Sequence, residues 1–162
     1  MILPVGAVEN RAATSRVNSA VEWAGYLGVA PLLVCLAAVG LLPEYAAREL
    51  AQRGAIAWGA LLLAFAGAVH WGLALAGRLS FERTRIAAAL APLPVGAAAV
   101  VLGGQRALAL LVVGHGSLWL YEHRVLGNAL PPSYLALRRQ VALATCMLLA
   151  LTMFVSDTAG LS

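Results

Sequence analysis

The sequence has no lysine, few charges of either sign and only two cysteines. Charged residues occupy 11% of its 162 positions, against about 25% in an ordinary soluble domain. That is too little polar surface to cover a water-soluble globule. Cys35 and Cys146 lie far apart, each inside an apolar run. With no C-x-x-C, they argue against a disulfide framework or a zinc site and read as small hydrophobes within helices. No G-x-x-x-x-G-K-[ST], G-x-S-x-G or H-E-x-x-H motif is present, so the common nucleotide, acyl-transfer and metalloprotease signatures are missing. No metal site is expected. No long Pro/Ser linker divides the chain, and no internal repeat of the kind transporters use stands out.

What is present is hydrocarbon. Hydrophobic residues make up 62% of the chain, with alanine, leucine, valine and glycine dominant. Residues 1–22, with Glu9, Arg11, Arg16 and Glu22, read as a retained polar N-terminal arm. They lack the apolar core and small-residue cleavage site of a signal peptide. Residues 23–155 read as one membrane domain and residues 156–162 as a tail. The expected fold is an all-α membrane protein, a bundle of five transmembrane helices with spans at about 23–42, 54–77, 86–102, 107–121 and 138–155.

A spanning helix needs roughly 20 apolar residues, with a range of about 17–25. The first two segments meet this easily. The last two have short apolar cores, which Arg106 and Arg138 extend by snorkelling and Tyr121 by sitting at the interface. The fifth helix is expected to begin near Pro132 or Ser133, since proline suits the first helical position. The alternative is four spans with one short interfacial helix. Pro43, Gly103-Gly104 and Pro131-Pro132 supply the breaks between segments. Pro92 and Pro94 predict a kink in the third span, either as an ordinary membrane-helix bend or as a broken helix lining a cavity.

The net charge of +4 is carried by arginines that fall between the apolar runs. They form no patch of the kind nucleic acid requires. Eight of them (Arg11, Arg16, Arg78, Arg83, Arg85, Arg124, Arg138 and Arg139) fall on one side of the five-span arrangement, and Arg48, Arg53 and Arg106 on the other. The positive-inside rule then puts the N-terminus inside and the C-terminus outside. Around the first loop, Glu44, Arg48, Glu49 and Arg53 have the spacing of a solvated helical turn.

Two histidines lie deep in apolar runs, where an ionisable residue is a functional hypothesis by default. His70 sits in A-G-A-V-H-W-G, roughly 7 Å from the centre of the second span toward the inner face. Gly59, Leu63 and Gly67 form a small-residue row beside it. His115 sits in G-H-G in the fourth span, with Trp119, Glu122 and His123 following on the same face. Both spans run from outside to inside, so the two histidines are expected at similar depth. Gly59, Gly67, Gly72, Gly114 and Gly116 are the candidate helix-packing positions.

Three readings are open. In the first, each imidazole serves as helix glue, hydrogen-bonded to a backbone carbonyl or to Ser117, Thr145 or Thr152. The pair could ligate a b-type haem. A quinone could sit near the inner interface, with His70 or His115 on its carbonyl and Trp71, Trp119 or Tyr121 against its ring.

G-A-V-H-W-G (Gly67 to Gly72) and P-S-Y-L-A-L-R (Pro132 to Arg138) together resemble a bacterial membrane family of unknown function, to which mitochondrial transmembrane protein 69 is similar. The resemblance covers roughly residues 25–150. It implies a small polytopic protein of a bacterial inner membrane, or of the mitochondrial inner membrane if the source is eukaryotic. It brings no reaction, cofactor or catalytic residue. Some relatives have an Asp near the end of the fourth span, and Glu122 is the nearest equivalent. The leading expectation is a non-enzymatic accessory subunit or assembly factor of a larger, energy-transducing membrane complex. Its partners would be the lipid bilayer and other membrane subunits, not nucleic acid. An odd span count predicts that a C-terminal reporter responds only outside; a response confined to the inner side would overturn it.

Overall fold

The computed structural model describes residues 5–77, 82–125 and 132–161, with side chains from residue 19 onward except 21 and 132. The expected roles of Arg11, Arg16, Arg78 and Pro131 fall outside these side chains. The described residues are helical and contain no strand: α1 (Val5–Leu41), α2 (Tyr45–Leu75), α3 (Arg83–Leu90), α4 (Pro92–Leu102), α5 (Gly104–Val125) and α6 (Pro132–Thr158). Four apolar stretches are long enough to cross a membrane: Glu22–Leu41, Tyr45–Leu75, Arg83–Leu102 and Ser133–Thr158. In α5, the polar residues Gln105, Arg106, His115, Glu122, His123 and Arg124 dilute the hydropathy over its 22 residues.

The boundaries follow local chemistry. From Val5 onward the N-terminal arm is helical and runs into the first span without a break. α2 starts nine residues before the expected span. The chain from Tyr45 to Arg53 is rich in helix-forming residues, and the Arg53–Glu49 pair at 2.5 Å supports the second turn. The expected third span is divided at Ala91 between α3 and α4. Pro92 and Pro94 bring no N–H to the carbonyls of Ala88 and Leu90. Gly103, at φ 63°, reverses the chain directly into α5, a conformation that glycine adopts without a Cβ penalty. α6 opens at Pro132.

The core runs down the centre of the bundle, through Leu32, Ile56, Leu63, Ala99, Leu108, Leu111 and Leu149. Small residues let the helices approach. A Cβ on Gly67 would stand 2.5 Å from the Ala89 carbonyl oxygen and 2.8 Å from Pro92 Cγ. One on Gly96 would stand 3.2 Å from the Ala60 oxygen, and one on Gly114 2.9 Å from Leu63 Cδ2. Gly59 is nearly as tight, 3.1 Å from Leu111 and Leu149. Gly72 and Gly116 differ from the packing role expected of them: a Cβ at either meets nothing within 4 Å.

The expected C-terminal tail is built into the fold. α6 continues through Thr158, and Gly160 (φ 72°) turns the chain so that Leu161 N–H donates to the Ser156 carbonyl at 2.9 Å. Leu161 is 2% exposed, and its carbonyl accepts from Gln52 at 3.3 Å and Gln105 at 3.4 Å.

The close approach at Gly67 predicts a pair of opposite outcomes. Gly67→Ala forces α2 away from the α3–α4 break and lowers the thermal midpoint in detergent, at a cost of about 1–3 kcal/mol for overpacking. Gly72→Ala leaves the midpoint unchanged or slightly higher, since it adds helix propensity and meets no neighbour.

Candidate functional site

Residues 111, 115, 118 and 122 of α5 recur every three or four positions and form its buried stripe. That periodicity carries Glu122 inward, to 2% exposure. A carboxylate buried this deeply must be paired and hydrogen-bonded. Arg138 on α6 supplies both requirements. Its Nε donates to Oε2 at 2.9 Å and Oε1 at 3.1 Å, and its Nη2 donates to Oε1 at 3.1 Å. This is the forked, charge-assisted geometry that guanidinium and carboxylate favour. Starting α6 at Pro132 places Arg138 nearly two turns in, on the face toward α5.

His70 on α2 completes the group. It is 4% exposed, with Nε2 3.5 Å from Glu122 Oε1 and Nδ1 3.2 Å from the Gly67 carbonyl oxygen. Its ring lies against Tyr121, centroids 6.3 Å apart and planes tilted by 56°. The three side chains join α2, α5 and α6 near one end of the bundle. Leu73, Ala74, Tyr121, Tyr134 and Leu135 form a partly buried apolar cluster there.

His115 lies elsewhere. It is 5% exposed, and its Nε2 is 3.0 Å from the Gly59 carbonyl oxygen. A carbonyl only accepts, so Nε2 carries the proton and Nδ1 is left as an acceptor. The contacts His115–Gly59 and His70–Glu122 advance in the same direction along both helices, so α5 runs parallel to α2. They also correct the expected depths. His70 is level with Glu122, seven residues beyond His115, which is about 10 Å at 1.5 Å per residue. Two imidazoles that far apart along the axis do not face each other across one haem iron or one quinone ring.

The aromatic candidates are separate as well. Trp119 stacks on exposed His123, centroids 5.8 Å apart at 16°, and Trp71 is 38% exposed. The face expected to hold His115, Trp119, Glu122 and His123 therefore divides, with His115 and Glu122 inside and His123 outside. Of the expected hydroxyl partners, Ser117 and Thr152 donate instead to carbonyls of their own helices, Gly114 and Leu148. Among the described residues no cluster of three or more His, Cys, Asp or Glu has metal-binding geometry.

Two cavities adjoin these groups. One, of about 310 Å³, lies between α1, α2, α5 and α6 and includes His115, Tyr134, Arg138 and Thr145 among its walls. The other, of about 220 Å³, sits at the proline break, where Ala88, Ala91 and Pro92 face Gly114 and Tyr121. The Tyr121 hydroxyl is buried there without a hydrogen-bond partner.

The sequence pointed to His70, but Arg138 read as a snorkelling residue and the Glu122–Arg138 pair was missed. The available signal was an acid seven residues after an intramembrane histidine, with an arginine in the P-S-Y-L-A-L-R element. Removing one partner of a buried pair leaves an uncompensated charge and costs about 3–5 kcal/mol. Arg138→Met is thus expected to destabilise the protein by that amount in detergent unfolding. Glu122→Gln combined with Arg138→Met recovers most of the loss; equal damage in the single and double variants would show that the pair is not coupled.

No curated protein and no solved structure matches the chain. Residues 17–154 match the family described as Protein of unknown function (DUF3429), a stretch that contains His70, Glu122, Arg138 and the walls of both cavities. The chain belongs to that family.

Proposed function

We propose that the chain is a five-span inner-membrane protein, N-terminus inside and C-terminus outside, acting as a structural accessory subunit or assembly factor of a larger, energy-transducing membrane complex. It carries no catalysis of its own in this reading. The observation that supports it is the use made of the deep polar side chains. Several of them make contacts between helices: His115 to the α2 backbone, Glu122 to Arg138 of α6 and to His70 of α2, and Trp58 Nε1 to the Gly28 carbonyl of α1 at 2.8 Å. Polar groups spent on joining helices are the glue that membrane bundles use.

Five spans rather than four are supported by the reach of α5. Gln105 at one end donates to the Met153 carbonyl at 3.0 Å, and Glu122 at the other holds Arg138. α5 thus runs beside most of α6. The arginine distribution supports the orientation. The resemblance of G-A-V-H-W-G to the motif of a bacterial membrane family, to which mitochondrial transmembrane protein 69 is similar, supports a bacterial inner membrane as the location, or the mitochondrial inner membrane in a eukaryote.

An accessory role predicts that deleting the gene lowers the amount of one assembled membrane complex on native gels. Turnover per assembled complex stays unchanged. Unaltered levels of every large membrane complex would overturn the proposal.

A further inference from the structure

The 310 Å³ cavity exists because α1 presents glycine where side chains would otherwise fill space. A Cβ on Gly28 would be 3.9 Å from Leu62, and one on Gly25 would be 3.4 Å from Leu137 and Val141. Along α6 the wall extends from Tyr134 to Thr145. Eleven residues of helix make this a slot about 16 Å long. Its sides are apolar, with Leu62, Phe65 and Val141 among them. Its polarity is uneven. Arg138 and Tyr134 stand at one end, and His115 and Thr145 toward the other.

The Arg138 end is electrostatically positive. Arg138 uses Nε and Nη2 on Glu122, and Nη1 takes no part in those bonds. Nη1 is the guanidinium nitrogen left to an anion approaching from the cavity that Arg138 lines. Arg124 and Arg139 are exposed at the same end of the bundle and add to the field. At the far end, His115 has given its N–H to Gly59 and has no N–H left for a quinone carbonyl.

We propose that this slot holds one acyl chain of an anionic phospholipid, with the headgroup phosphate at Arg138 and Tyr134. The second chain stays in the bilayer. The apolar slot supplies the affinity, and Nη1 of Arg138 with the exposed Arg124 and Arg139 beside it selects the headgroup.

The test uses the full chain in nanodiscs of equimolar phosphatidylglycerol and phosphatidylcholine, followed by native mass spectrometry. One phosphatidylglycerol is retained, at about fivefold over phosphatidylcholine, the ratio that a single basic contact to an anionic headgroup gives. Gly28→Leu fills the slot without changing any charge and abolishes retention, while the thermal midpoint holds or rises. If that variant fails to fold, Gly25→Val makes the same test. Equal retention of both lipids would overturn the proposal. So would retention that survives the filling variant, since it would mark surface lipid on an arginine-rich end. Recovery of an isoprenoid quinone from the native membrane, lost on filling the slot, would assign the site to another ligand.

Discussion

A carboxylate at the inner stripe of α5 constrains much of this structure. Glu122 is 2% exposed, and hydrocarbon offers it nothing. Its burial demands a cation, and Arg138 reaches it only if α6 begins at Pro132 and lies along α5. It also needs a companion on α2, and His70 meets it only if α2 and α5 run parallel in one register. One buried charge therefore fixes the relation of three helices at one end of the bundle. A buried ion pair of this kind is weak evidence for stability in itself, because desolvation offsets most of the attraction. Its clearest consequence is specificity of register.

Small residues do the complementary work. Gly67 lies three residues before His70, and the Gly67 carbonyl is also the acceptor facing His70 Nδ1. The same glycine lets the Ala89 carbonyl approach to a distance that no Cβ tolerates. One short motif thus sets both the packing of α2 on the α3–α4 break and the orientation of the buried imidazole. At the opposite end of the bundle the contacts between helices are made by neutral amides. Gln52 and Gln105 converge on the Leu161 carbonyl, and the Gly160 turn makes that carbonyl available. The bundle is held by charge at one end and by amide hydrogen bonds at the other.

The two ends suit different surroundings. The charged group lies among exposed arginines, where a membrane surface supplies anions, and the cavity beside Arg138 opens from that region toward His115. The amide end carries the exposed acids Glu44 and Asp157 and a compact C-terminal cap.

Composition and periodicity were enough to read an all-helical chain with apolar stretches long enough to cross a membrane, and its proline and glycine breaks. They work because hydrocarbon imposes one requirement on every residue of a span, and that requirement is legible position by position. The pairing of Glu122 with Arg138, the separation of His70 from His115 by about 10 Å, and the open surroundings of Gly72 and Gly116 were decided by tertiary structure. Each depends on how one helix is rotated and shifted against another. Helical periodicity places residues on faces within one helix and carries no information about the relative height of two helices; only the packed contacts supply it.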